Sequence, residues 1–376
     1  MAQAFNVEGF RQKARARLPK MVFDYLEGGA DDERGLARNR AAFAHWTFQP
    51  RRLVNVATRD LSIDLLGRSQ SLPFLVAPTG LNSVFWPKGD VALARAARRA
   101  GIPFILSTAA NASIEELADQ AGGELWFQLY VVHPGLAEQL VKRALAAGYR
   151  TLVLTCDVAV NGKRERDLRS GFGVPFKYSP KVVWDALRHP RWTMSLLSGG
   201  LPQMANFANQ DADNIELQAA LLARKMDASF DWDALQRLRE LWPHRLLVKG
   251  IVHPLDAQHC LDLGADGVVL SNHGGRQLDD ACSPMMALGA VQAQTRVRPL
   301  IDSGFRRGSD VVKAMALGAS GVLLGRPLLY GLAAAGEEGA SAVLDIFRDE
   351  IDRTLANLGC ASIRELTPEH VARVPG

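Results

Sequence analysis

From residue 72 onward the chain alternates two kinds of segment. Short apolar, β-branched runs are followed by amphipathic stretches rich in Ala and Leu. The runs predict strands at 74–77, 104–106, 125–129, 151–155, 246–248, 267–270, 300–301 and 321–324. Helical patterns follow at 90–100, 114–121, 135–147, 232–241, 255–263, 285–294, 310–317 and 328–335. Turns such as Ala147-Gly148, Leu263-Gly264-Ala265 and Leu317-Gly318-Ala319 close helices just before strands. Eight strand-then-helix units predict an α/β fold, a (β/α)8 TIM barrel. The rival is a doubly wound open sheet. It opens with a Gly-x-Gly-x-x-Gly turn after its first strand, and Pro78-Thr79-Gly80 is not one.

At ~150 residues per domain, 376 residues suggest two or three domains. A barrel takes roughly 250 residues as one unit, so a single barrel domain over 1–376 with added segments is expected instead. The first 72 residues read as helical, at 7–18, 21–26 and 31–44, with Gly28 and Gly29 as C-cap and break. An abnormally long connection, from Val158 to about Asp231, follows the fourth strand; a loop of that length is a functional insertion. Lys and Arg number 44 against 40 acids, a net +4 too mild to point to nucleic acid. The four cysteines, without a CxxC pair, exclude a zinc ribbon or disulfide scaffold and fit a reducing compartment. No secretory signal is expected at the N-terminus.

In barrels of this class chemistry sits at the C-terminal ends of the strands. Here those ends carry Pro78, Thr79 and Gly80; Ser107; Gln128 and Tyr130; Thr155 and Asp157; Lys249; Ser271 to Arg276; Asp302 to Arg306; and Gly325-Arg326. The last two place Asp302, Gly304, Arg306, Gly325 and Arg326 where such barrels bind phosphate, through backbone N–H groups and guanidinium forks. Whether that phosphate belongs to a substrate or a cofactor is open at this level. In the sixth end, His273 and Arg276 flank two glycines. Arg276 suits a substrate carboxylate and neutral His273 a proton abstraction. Asp157 suits orienting that imidazole, and Lys249 suits negative charge developing on a ligand.

The segments SNHGGRQLD (271–279), PKMVFDYLEGGADDE, FQLYV, LVKG, DSGFRRG and LLGRP, in this order, resemble the FMN-dependent 2-hydroxy-acid oxidase and dehydrogenase family over nearly the whole chain. Within it, LSTAANASIEEL, DVAVNGKRERDL and SPKVVWDALRHPRW are most similar to the branch that oxidises mandelate-like substrates. The resemblance implies FMN as cofactor and oxidation of an aromatic (S)-2-hydroxy acid to the 2-oxo acid. His273 would be the base, paired with Asp157. Arg164 and Arg276 would hold the carboxylate, and Tyr25 and Tyr130 would hydrogen-bond the substrate. Tyr25 would bring the 1–72 segment over the barrel mouth. FMN would contact Pro78, Thr79, Gly80, Ser107, Gln128, Thr155, Lys249 and Ser271. Its phosphate would lie on Asp302, Gly304, Arg306, Gly325 and Arg326. Glycolate-type oxidases carry Trp where this chain has Ala109, and Ala where it has Gly80; the small Ala109 leaves room for a phenyl ring.

The insertion at 172–214 interleaves cations (Lys177, Lys181, Arg188, Arg191) with apolar and aromatic residues, among them Phe176, Trp184 and Trp192. The uncharged stretch 192–210 is too polar to span a bilayer, but cations with Trp suit a membrane interface. The resemblance makes this a peripheral membrane-association segment on the cytoplasmic side of the inner membrane, with quinone as electron acceptor and a tetramer as the usual assembly. A soluble cytoplasmic protein is the alternative. No metal and no nucleic acid are expected. The rival functions are an FMN-dependent L-lactate dehydrogenase, an oxygen-using hydroxymandelate oxidase, and a non-redox barrel binding a phosphorylated metabolite.

Overall fold

The computed structural model describes residues 4–173, 179–200, 202–207 and 227–374. Eight parallel strands close into a barrel in chain order: β1 (Phe74–Val76), β2 (Phe104–Ser107), β3 (Leu125–Leu129), β4 (Thr151–Thr155), β5 (Arg245–Ile251), β6 (Gly267–Leu270), β7 (Leu300–Ile301) and β8 (Gly321–Leu324). Closure comes from β8 against β1, with Val322 opposite Phe74 and Leu324 opposite Val76. Strands buried on both faces need the continuous Val, Leu, Ile and Phe runs seen in the sequence. Helices such as Gly89–Ala100, Pro134–Ala146 and Gly308–Ala316 cover the outside, and each buries its apolar stripe. The expected TIM barrel is therefore the observed fold.

Three local expectations change. The first 72 residues are helical only at Val7–Arg17, Lys20–Glu27 and Arg34–Ala41. Trp46–Phe48 pairs instead with Val371–Arg373, and Ile63–Leu65 forms a hairpin with Arg68–Gln70. Such three-residue strands are too short to show a period in sequence. Gly28 does break the helix, but with φ −59° rather than a left-handed cap. Finally, β5 runs past Lys249 and is irregular between Lys249 and Ile251. Gly250 allows this: its φ is 102°, and a Cβ there would lie 2.7 Å from that of Asp157.

Candidate active site

At the mouth of the barrel, His273 follows β6 with φ 56°, a strained value for a residue with a side chain. Its Nδ1 lies 2.8 Å from Oδ1 of Asp157, which follows β4. A carboxylate only accepts, so Nδ1 carries the proton and Nε2 keeps its lone pair. The Tyr130 hydroxyl lies 3.3 Å from Nε2 and donates to it. Burial pushes His273 below the usual histidine value, and the partly opposing pull of Asp157 does not restore it. Burial works against the Asp157 carboxylate too, but His273 and Lys249 hold it below the usual range. Tyr130 is pushed up to about 12 by burial and by Asp157, so it stays a donor. A neutral imidazole beside an ionised carboxylate is the state a general base requires.

Beneath this pair lies a buried cation. Lys249, 4% exposed, donates to Ser271 Oγ at 2.8 Å and pairs with Asp302 at 3.2 Å. Burial penalises its charge, but Asp302 and Asp157 outweigh that and raise its pKa. Ser271 Oγ also accepts from the His273 backbone N–H at 3.0 Å, which links the cation to the strained residue. The irregularity at Gly250 and the two acids are what hold an ammonium at this depth.

A cavity of about 210 Å³ opens above Lys249 and His273. At one end Gly304, Arg306, Gly325 and Arg326 line it. Arg326 donates to the carbonyls of Leu26, Gly274 and Gly28, so it also fastens the N-terminal segment to the barrel. Burial and the nearby Arg306 push its guanidinium down to about 10. Arg306 lies over the ring of Tyr330, whose hydroxyl donates to Glu27 at 2.5 Å. Two guanidiniums beside glycine backbone are groups that can hold an anion.

A second part of the cavity, joined to the first where Arg276 and Arg326 share the Gly28 carbonyl, has groups that can hold a carboxylate and an apolar wall. Arg164, Arg276, Tyr25 and Tyr130 line it. Arg276 donates to the carbonyls of Tyr25 and Gly28 and lies over the Tyr25 ring, centroid distance 5.1 Å. Tyr25 in turn stacks on Phe172 at 4.1 Å. The apolar wall comes from Ala109, Val132 and Val158, with Met204 and Phe207 of the insertion.

Of the residues singled out in sequence, Pro78, Thr79, Gly80, Ser107, Lys249, His273, Asp302 and the two end groups above all line this cavity. Gln128, Thr155, Ser271 and Asp157 stand one layer behind it. Gln128 accepts from Ser107 Oγ at 3.1 Å. Asp302, expected at the phosphate, lines the cavity with its carboxylate paired to Lys249 and accepting from Ser303 Oγ at 2.6 Å. Met204 and Phe207 belong to the 172–214 insertion. The structure turns them inward, because buried Asn206 accepts from the Ile114 backbone N–H and donates to the carbonyls of Ser107 and Thr108. Phe176, Lys177 and the end of the 172–214 stretch lie outside the described residues. Leu81 and Phe85 join the wall too, and nothing local in the sequence marked them.

Residues 14–373 match the family model described as FMN-dependent dehydrogenase. The chain is 59% identical over 367 residues to (S)-mandelate dehydrogenase of Pseudomonas putida, covering 98% of this chain and 93% of that one. It is 40% identical to an L-lactate dehydrogenase of Pseudomonas syringae pv. syringae, over 96% of each chain. A crystal structure of the monotopic membrane protein (S)-mandelate dehydrogenase superposes with TM-score 0.96 at 58% identity, covering 99% of this chain and 100% of that one.

Proposed function

The chain belongs to the FMN-dependent dehydrogenase family, and on that premise we propose that it oxidises (S)-mandelate or a close aromatic 2-hydroxy acid and passes the electrons to a membrane quinone. The observation that carries the substrate reading is the apolar wall facing the carboxylate clamp. Small Ala109 with Val132, Val158, Met204 and Phe207 leaves a site for an aryl ring beside His273.

The residues present fit FMN. Buried Gln128 Nε2 and Thr155 Oγ1 have no hydrogen-bond partner among the described residues, and both belong to strands that end beneath the cavity. A flavin ring is rich in acceptors and donors of the kind such atoms need. FMN would be held by Pro78, Thr79, Gly80, Ser107, Gln128, Thr155, Lys249 and Ser271. Its phosphate would be held by Gly304, Arg306, Gly325 and Arg326, with Asp302 retained to charge Lys249. When bound, FMN supplies the two-electron acceptor that converts a 2-hydroxy acid to a 2-oxo acid.

The protein's own part follows from the geometry. Arg164 and Arg276 hold the substrate carboxylate. Tyr25 and Tyr130 donate to the substrate's oxygens. His273 Nε2 takes the proton, and Asp157 stabilises the imidazolium that results. Lys249 places a fixed positive charge under the site, in a setting too dry for water to screen it.

Two helices of the insertion support the membrane reading. Pro180–Leu187 exposes Trp184 and Leu187, 58% and 63% accessible; Pro190–Gly199 exposes Met194 and Leu197. Each pair is three residues apart and so shares a helix side. Arg188 and Arg191 flank them. Among the described residues no helix is long and apolar enough to cross a membrane. The exposed apolar pairs support a peripheral dock; the cytoplasmic leaflet and the tetramer are proposed from the family resemblance alone.

One experiment tests the chemistry: purified protein should be yellow and bleach on addition of (S)-mandelate. Colourless protein that takes up no FMN overturns the redox reading, and bleaching by lactate but not mandelate selects an L-lactate dehydrogenase.

A further inference from the structure

The loop after β1 forms part of the cavity wall in a strained conformation. Leu81 has φ 58° and ψ 35°, left-handed for a bulky residue, and is 1% exposed. Such a conformation persists only where surrounding contacts over-determine it. Here they converge on a buried carboxylate that plays no part in the chemistry derived above.

Asp90 lies in the first turn of Gly89–Ala100 and is 1% exposed. Its Oδ1 accepts from Asn82 Nδ2 at 2.7 Å. Its Oδ2 accepts from the backbone N–H groups of Asn111 and Ala112, at 2.9 and 3.1 Å. Asn82 is fully buried, donates to the Thr79 carbonyl at 3.1 Å and accepts from Thr79 Oγ1 at 3.0 Å. The Asn111 side chain accepts from the Ser83 N–H at 2.8 Å and donates to the Gln203 carbonyl, on the insertion, at 2.7 Å. Gly89 permits the approach: a Cβ there would stand 2.5 Å from the Asn82 carbonyl oxygen. Burial pushes the carboxyl up to about 6 even though three donors face it. Those donors are neutral amides, so hydrogen-bond geometry rather than an ion pair fixes the group.

Asp90 does not itself line the cavity, yet its partners bear on three of the segments that do: Thr79–Leu81, Thr108–Ala109 and, through the Gln203 carbonyl, the stretch that begins at Met204. We propose that Asp90 is a positioning residue for FMN and for the substrate beside it, setting through Asn82 the wall at Thr79–Gly80 that receives the cofactor and through Asn111 the wall at Ala109 that receives the aryl ring. The inference rests on the reading of this cavity as the flavin site.

Asp90→Asn in the full chain tests it. The amide keeps the volume and an acceptor for Asn111 and Ala112, but turns an NH2 toward that of Asn82. FMN is titrated into apoprotein by quenching of its fluorescence. Turnover is then measured at saturating FMN with (S)-mandelate and a soluble dye. The expected result is an FMN Kd raised at least about tenfold, the order for a broken buried charged hydrogen bond. The KM for mandelate rises while kcat stays within about threefold. Asn111→Ala, at a half-buried position, provides a second arm should the first variant fail to fold, with an expected rise in the KM for mandelate of about threefold. Wild-type FMN affinity and KM in a folded Asp90→Asn protein of lowered Tm would make Asp90 a packing residue and overturn the proposal. The same result for Asn111→Ala, where Asp90→Asn does not fold, would overturn it too. A wild-type apoprotein that binds no FMN fails at the earlier step and overturns the flavin reading itself.

Discussion

The corner formed by the loops after β4 and β6 and the insertion at 180–207 solve opposite problems. In the corner, ionisable groups are buried and answered: His273 by Asp157, Lys249 by Asp302, Arg276 by the carbonyls of Tyr25 and Gly28. The insertion instead leaves Trp184, Leu187, Met194 and Leu197 in the open. It is held to the barrel by a few inward anchors. Trp192 donates to the Val84 carbonyl at 2.8 Å, Arg17 reaches Ser195 at 3.2 Å, and Asn206 ties it to β2. Strand ends fix geometry because the barrel's ladder fixes them. An inserted segment can present a surface to something else because its contacts are sparse.

Breaking the corner should cost far more than breaking the surface. His273→Gln should keep FMN bound and lower the rate of bleaching by (S)-mandelate by roughly 10³ to 10⁴, the upper range for a general base. Rapid-mixing absorbance checks it, and a near-normal rate would remove His273 from the mechanism. Asp157→Asn should lower kcat/KM by about 10², since the imidazolium loses its counter-charge.

That second variant also carries a pH test. His273 must be neutral to accept a proton, so activity rises with pH as the imidazole loses its proton. Its pKa lies below the ordinary value because burial prevails over Asp157. The acid limb of kcat/KM should therefore fall below that of a free histidine. Removing Asp157, which pulls the pKa up, should move the limb further down. A limb that moves to higher pH would contradict the assignment.

The mildest expectation concerns the surface. Trp184→Ser and Leu197→Ser should each weaken partitioning onto anionic vesicles by about tenfold, from roughly 1.5 kcal/mol of lost apolar burial. Turnover of mandelate with a soluble dye should stay within about twofold. Equal loss of dye-linked activity would show that the two regions are not separable in the way their contacts indicate.

Much of the barrel and its rim was legible from sequence. Polar strand ends pointed to the cavity, and Arg306 and Arg326 line it as expected. The Lys249 partnership of Asp302 was not legible, because sequence shows that Asp302 follows β7 but not that Lys249 lies opposite. The direction of Met204 and Phe207 was not legible, because apolar residues in a loop look the same whichever way they face. Buried Asn206 decides their direction, and a polar residue's burial cannot be seen in a single sequence.

The sequence by itself determined the fold class, since short continuous apolar runs alternating with helical stripes are a local property of the chain. It also determined the kinds of chemistry available at each strand end. The tertiary structure alone decided which of those groups meet. His273 and Asp157 are 116 residues apart, and Lys249 on β5 meets Asp302 after β7 because the barrel brings those strand ends together. Asp90, in the first turn of an otherwise ordinary helix, became the tie between three walls for the same reason. Periodicity is written along the chain, whereas the register and closure that bring distant side chains within hydrogen-bonding range are set by packing the whole of it.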